Sequence, residues 1–167
     1  MSVDRRTFLQ GGALAVIGVA VAGPWLLGHS EEAHAAYPVA MSDAQWKKKL
    51  SPGAYQVLRK EATEQPGSSP LLKEHRAGVF ACAGCDQKAF SSTTKFDSGT
   101  GWPSFWQPLP RAVATSKDTT LGYARTEVHC TRCGGHLGHV FDDGPKPTGL
   151  RYCMNGVALK FMPGATA

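Results

Sequence analysis

The stretch Thr126-Glu127-Val128-His129-Cys130-Thr131-Arg132-Cys133-Gly134-Gly135-His136-Leu137-Gly138-His139-Val140-Phe141, residues 126–141, sets two short strand-like runs on either side of a cysteine-bearing turn. Thr126 to His129 and His139 to Phe141 are short, with apolar residues alternating or adjacent, and Gly bounds the turn between them. Cys130 and Cys133 lie three apart, with small residues following where the backbone folds tightly. Working outward, Val79-Phe80-Ala81-Cys82, Ala112-Val113-Ala114-Thr115 and Val157-Ala158-Leu159-Lys160-Phe161 read the same way. The chain holds 19 Gly and 11 Pro, which favours many turns and short strands over long helices. Only the start of this region looks helical. Ser42-Asp43-Ala44-Gln45 has the form of a capping box, and Ser51-Pro52 opens a second helix to about Thr63, with Tyr55, Leu58 and Ala62 on one face. Residues 65–77 read as a loop, and no internal repeat appears. The expected fold is mainly β, an antiparallel core with two short N-terminal helices.

The five cysteines fall as Cys82-x-x-Cys85, Cys130-x-x-Cys133 and a lone Cys153. Two such pairs on Gly-containing turns offer four thiolates for a tetrahedral zinc site, joining distant parts of one domain. Two disulfides, or redox-active pairs, are the competing readings, although no helical pattern follows either pair as a redox cysteine would want. His129 and His136 flank the second pair and are alternative ligands. Cys153 is left over. Arg151 lies two residues before it and Asn155 two after, so on a strand the three share a face, and a cation beside a thiol favours the thiolate.

Residues 41–162 resemble the B-type methionine sulfoxide reductases. The resemblance rests on Gly78-Val79-Phe80-Ala81-Cys82-Ala83-Gly84-Cys85, Thr94-Lys95-Phe96-Asp97-Ser98-Gly99, Gly101-Trp102-Pro103-Ser104-Phe105, the run from His129 to Pro145, and Arg151-Tyr152-Cys153-Met154-Asn155. It implies the fold of that family, one structural zinc on Cys82, Cys85, Cys130 and Cys133, and thiol-dependent reduction of the R epimer of methionine sulfoxide in oxidised proteins. By the same resemblance Cys153 attacks the sulfoxide sulfur and Trp102 walls the substrate's methyl group. His139, with His136 close by, protonates the departing oxygen, while Arg151 and Asn155 hold the site. Many members carry a resolving cysteine where this chain has Thr100, so an external thiol, thioredoxin-like or small, is expected to reduce Cys153. Gly156, Val157 and Ala158 stand where small polar residues are expected in many relatives.

Residues 1–35 read as a twin-arginine signal segment ahead of a domain spanning 36–167. Arg5-Arg6 precede Phe8-Leu9 and an apolar stretch to about Leu27, and Ala33-His34-Ala35 offers a cleavage site. The expectation is an exported, periplasmic protein, or one anchored to the membrane if the segment is retained. The net charge of +5 comes from scattered residues, apart from Lys47-Lys48-Lys49, which reads as a solvated helix face. No nucleic-acid partner is therefore expected. A zinc-centred binding module with an inert Cys153 is the rival reading.

Overall fold

The computed structural model describes residues 37–165, so the signal-segment reading of residues 1–35 lies outside the described residues. Among the described residues no helix is long and apolar enough to cross a membrane.

Helix α1, Asp43–Lys49, starts on the expected capping box. The Gln45 amide donates to the Ser42 hydroxyl at 3.3 Å, and the Ser42 amide donates back to the Gln45 side chain at 2.8 Å. Helix α2, Pro52–Lys60, opens on Ser51 but ends before Thr63. Glu61 adopts a left-handed φ of 56°, and the Ala62 amide closes back on the Gln56 carbonyl at 3.1 Å. Ala62 thus leaves the helix, and Ala54, Tyr55, Val57 and Leu58 form its buried face. Lys47 pairs with Asp43 at 2.8 Å on the exposed side, as a solvated face does.

Among the described residues nine strands follow: β1 Gly78–Cys82, β2 Lys88–Ser91, β3 Lys95–Phe96, β4 Ser104–Phe105, β5 Val113–Asp118, β6 Arg125–Cys130, β7 His136–Phe141, β8 Arg151–Met154 and β9 Leu159–Pro163. They form a three-stranded sheet in the order β2-β1-β9 and a six-stranded sheet in the order β3-β4-β8-β7-β6-β5. Every pairing is antiparallel. The expected mainly β fold with two short helices is what the chain adopts. Within the Val157–Phe161 run, however, Gly156–Ala158 is a 3-10 turn and the strand begins only at Leu159.

The core is aromatic where the two sheets meet the helices. Phe90 stacks on Phe105 with centroids 4.4 Å apart, Phe80 meets Phe105 edge-on at 5.0 Å, and Trp46 of α1 is buried beside them in the same cluster. On the six-stranded sheet Phe105, Val128 and Met154 face this core. Their alternate neighbours therefore face the other way, and that outer face carries the polar residues discussed next.

Candidate active site and metal centre

Strands β1 and β6 each end on a cysteine and run into turns of the same make. Asp86 N donates to Cys82 O at 2.9 Å while Cys82 N donates to Gln87 O at 2.8 Å. Likewise Gly134 N donates to Cys130 O, and Cys130 N to Gly135 O, each at 2.9 Å. The fifth residue of each turn is left-handed, with φ of 65° at Asp86 and 66° at Gly134. In the first turn Asp86 therefore makes the tight fold, and Gly84 packs against the cage. A Cβ on Gly84 would sit 3.5 Å from the sulfurs of Cys82 and Cys133 and from the Trp46 ring.

The four buried sulfurs lie within 4.8 Å of one another. They interleave, with Cys82 3.7 Å from Cys133 and Cys85 3.5 Å from Cys130. A disulfide needs about 2.05 Å, and these cysteines are free thiols. Hydrogen bonds from Cys133, Cys82 and Cys85 push Cys130 well below the ordinary thiol value. Hydrogen bonding to Cys130, Cys133 and Cys85, with burial added, pushes Cys82 far above it. Four thiolates this close repel one another and need a cation between them. An all-sulfur donor set of this size fits a tetrahedral metal ion. His129 and His136 take no part, because both turn to Glu127, at 3.5 and 2.8 Å.

Cys153 lies on β8 between β4 and β7. Its register partners are Ser104 on one side and His139 on the other. The row continues from His139 to Glu127 on β6 and on to Ser116 on β5. A second row on the same face runs two residues further along each strand, where Arg151 pairs with Phe141 and Arg125 with Asp118. Alternation along short strands thus assembles the site, and Arg151 shares the Cys153 face as expected.

Each member is held from behind. His139 Nε2 meets Asp118 Oδ2 at 2.8 Å, and Asp118 also pairs with Arg125 at 2.5 Å. Burial holds His139 below the ordinary imidazole value although Asp118 pulls the other way. His136 is buried, bonds Glu127 through Nδ1 and faces the His139 ring edge-on at 5.3 Å. Among the described residues its Nε2 has no hydrogen-bond partner. Arg151 forks onto Asp143 at 2.8 and 2.9 Å and lies over Phe141 at 4.4 Å. Burial raises the Cys153 thiol above its ordinary value, against smaller opposing effects from Thr100 and Arg151. The Arg151 charge therefore does not by itself make Cys153 a thiolate, because burial outweighs it.

Asn155 corrects the expected geometry. It lies just beyond β8 and leads into the 3-10 turn Gly156–Ala158 rather than continuing the strand face. Its side-chain Oδ1 accepts from Glu64 N at 2.9 Å and its side-chain Nδ2 donates to Leu137 O at 3.1 Å, so it ties the segment after α2 to β7. The Glu64 carbonyl in turn accepts the Trp102 indole N–H at 3.1 Å. Trp102, His139, Cys153, Asn155, Phe141 and Thr63 line one cavity of about 160 Å³. A larger groove of about 590 Å³ borders it at Thr63 but holds neither cysteine nor histidine. No motif in the sequence marks Asp118, Glu127, Glu64 or Arg125. A lone charge on an alternating strand reads as solvent-facing, and only the register shows what each one touches.

A family model described as the SelR domain matches residues 50–163. Proteins named peptide methionine sulfoxide reductase MsrB are close in sequence over nearly their whole length. The one from Leifsonia xyli is 56% identical over 76% of this chain and 93% of its own. That from Bradyrhizobium diazoefficiens is 55% identical over 75% and 91%, and that from Agrobacterium fabrum 51% over 75% and 93%. With four sulfurs caged at one end of the sheets and a cysteine facing a histidine across β8 and β7, the chain belongs to the SelR family of B-type methionine sulfoxide reductases.

Proposed function

We propose that this protein reduces the R epimer of methionine sulfoxide in oxidised proteins, with Cys153 as the nucleophile. One observation carries the assignment of roles: Cys153 and His139 are direct cross-strand partners on a cavity that Trp102 walls. The Cys153 sulfur attacks the sulfoxide sulfur, the sulfur–oxygen bond breaks, and the oxygen ends as the hydroxyl of a sulfenic acid on Cys153. The products are a thioether and that sulfenic acid, so methionine is reduced and the cysteine oxidised. The thiol loses one proton and the oxygen gains one, leaving the step proton-neutral. His139, the cross-strand neighbour of Cys153, carries that proton. Trp102 offers the apolar wall for the methyl group, its indole N–H being already engaged by Glu64. Arg151 and Asn155 act as positioning residues through Asp143, Glu64 and Leu137.

An external thiol, from a thioredoxin-like protein or a small molecule, then condenses with the sulfenic acid and expels water, and a second thiol frees Cys153. The support is that Thr100 stands at the position of a resolving cysteine and the other four cysteines sit in the cage. The caged ion is read as one structural zinc, since four thiolates leave it no open position. Export to the periplasm through the twin-arginine route, or membrane anchoring there, rests on the Arg5-Arg6 segment and its apolar run.

The test is an assay of the purified protein on the separate R and S epimers of a blocked methionine sulfoxide, beside Cys153→Ser. Turnover of the R epimer alone, lost in the variant, supports the reading. The same reaction stopped after one turnover without reductant is expected to show an oxidised Cys153 free of any internal disulfide. Folded, metal-bearing protein inert towards both epimers would shift the reading to a binding module.

A further inference from the structure

Cys153 touches a second group that the reaction scheme leaves without a task. The Thr100 hydroxyl lies 3.8 Å from the Cys153 sulfur. It is also 2.8 Å from the Ser98 hydroxyl, which lies 2.8 Å from that of Ser104. Ser104 is fully buried, is the β4 register partner of Cys153, and donates to the Trp102 carbonyl at 3.1 Å. Three hydroxyls thus form a line from the reacting sulfur to the backbone of the residue walling the cavity.

Each hydroxyl has one proton, and that fixes the direction of the line. Ser104 spends its proton on the Trp102 carbonyl, which can only accept, so Ser104 accepts from Ser98. Ser98 then has none left for Thr100, which donates to Ser98 and accepts from the Cys153 S–H. This orientation suits the neutral thiol that burial already favours. When the sulfur takes up negative charge, the line has an available reversal. Thr100 turns its proton to the sulfur, Ser98 turns to Thr100, and Ser104 turns from the carbonyl to Ser98.

We propose that Thr100 donates a hydrogen bond to the Cys153 sulfur as its charge develops, with Ser98 and Ser104 as positioning residues whose hydroxyls reverse together. The threonine at the place of a resolving cysteine is on this view part of the machinery that activates the nucleophile. The inference deepens the reading of Cys153 as nucleophile and rests on it.

The test measures how the rate of Cys153 alkylation by iodoacetamide depends on pH, with the labelled residue identified by mass. The full chain carrying its metal is compared with Thr100→Val, Thr100→Ser and Ser98→Ala. A hydrogen bond to a charged group is worth about 1.5–3 kcal/mol, so removing the hydroxyl is expected to raise the titration midpoint by about 1–2 pH units. Thr100→Ser is expected to restore it, and Ser98→Ala to give a smaller rise in the same direction. The kcat/KM of Thr100→Val is expected to fall about tenfold at neutral pH, because the hydrogen bond to the charge developing on the sulfur is lost. An unmoved midpoint in Thr100→Val, or a Thr100→Ser variant no better than valine, overturns the proposal. If Thr100→Val does not fold, an unmoved midpoint in Ser98→Ala overturns it instead. The underlying reading fails separately, through residual sulfoxide turnover in Cys153→Ser.

Discussion

At the residue scale, the cross-strand neighbours Cys153 and His139 are pushed in opposite directions. Burial raises the Cys153 thiol and lowers the His139 imidazole, each towards its uncharged form. Arg151 looked in the sequence like the activator of Cys153. The fork it makes on Asp143 could not be read there, because Asp143 lies eight residues away across a loop. In the sequence, Cys153 and His139 are marked as a pair only by the family resemblance of their motifs; the structure adds that they are cross-strand neighbours. With Cys153 as the proposed nucleophile and His139 as the proposed proton carrier, the active form keeps the proton on Cys153 and none on His139. It is lost below the His139 value, itself under the ordinary ~6.5, and above the Cys153 value, itself over the ordinary ~8.5. The kcat/KM profile for the R epimer is therefore expected to be flat from about pH 6.5 to about 8.5 and to fall on both sides. His139→Asn is expected to lower kcat by about 10²–10⁴ and to remove the acid limb. A profile that peaks below pH 6 would contradict this assignment.

At the element scale, the site depends on how closely β7 approaches β8. A Cβ on Gly138 would lie 2.1 Å from the Cys153 carbonyl oxygen and 3.0 Å from Met154 Cα, both backbone atoms that cannot swing aside. Gly138→Ala must therefore part the two strands that hold His139 and Cys153. The expected cost is about 1–3 kcal/mol of stability, read by urea unfolding. Displacing the pair by about 1 Å is expected to cost about 100-fold in kcat. A variant with native stability and native kcat would show that the register is not what aligns the pair. The strand pairings themselves were legible only in part. Runs such as Val79–Cys82 and Thr126–His129 announce themselves by apolar content. Strands β3 and β4 have two residues each and carry no period at all. They exist because Ser104 and Phe105 lie against Cys153 and Tyr152, a tertiary cause. The early end of α2 has a similar origin. No Gly or Asn marks Glu61 as left-handed, yet the turn it makes delivers Glu64 to Asn155 and Trp102.

At the scale of the whole molecule, the four cysteines join what the sheets leave apart. Cys82 ends a strand of the three-stranded sheet and Cys130 a strand of the six-stranded one. The helices are fastened to the same cage. Arg59 of α2 donates to the Cys133 carbonyl at 2.9 Å and lies over Trp46 of α1 at 4.9 Å, while Arg132 donates to the Cys85 carbonyl at 3.1 Å. This part was the most legible in the sequence, because two CxxC pairs fix the donor atoms whatever the chain between them does. The interleaving of the pairs was not, since it depends on how the turns face each other. A structural ion held by four thiolates contributes about 10–16 kcal/mol of apparent binding energy, against about 5–15 kcal/mol of stability for a whole domain. Removing it should therefore abolish the native state and not merely soften one corner. One metal ion per chain is expected by elemental analysis. Chelation under reducing conditions is expected to abolish the cooperative thermal transition and the turnover of the R epimer together, although Cys153 binds no metal. Cys85→Ser, which removes one of the four sulfurs, is expected to lower the melting temperature even where some metal remains. A metal-free protein that still melts cooperatively at the native temperature would mean that packing of Trp46, Phe80, Phe90 and Phe105 alone holds the two sheets together. The cage would then be a site occupied by the fold and not a condition for it.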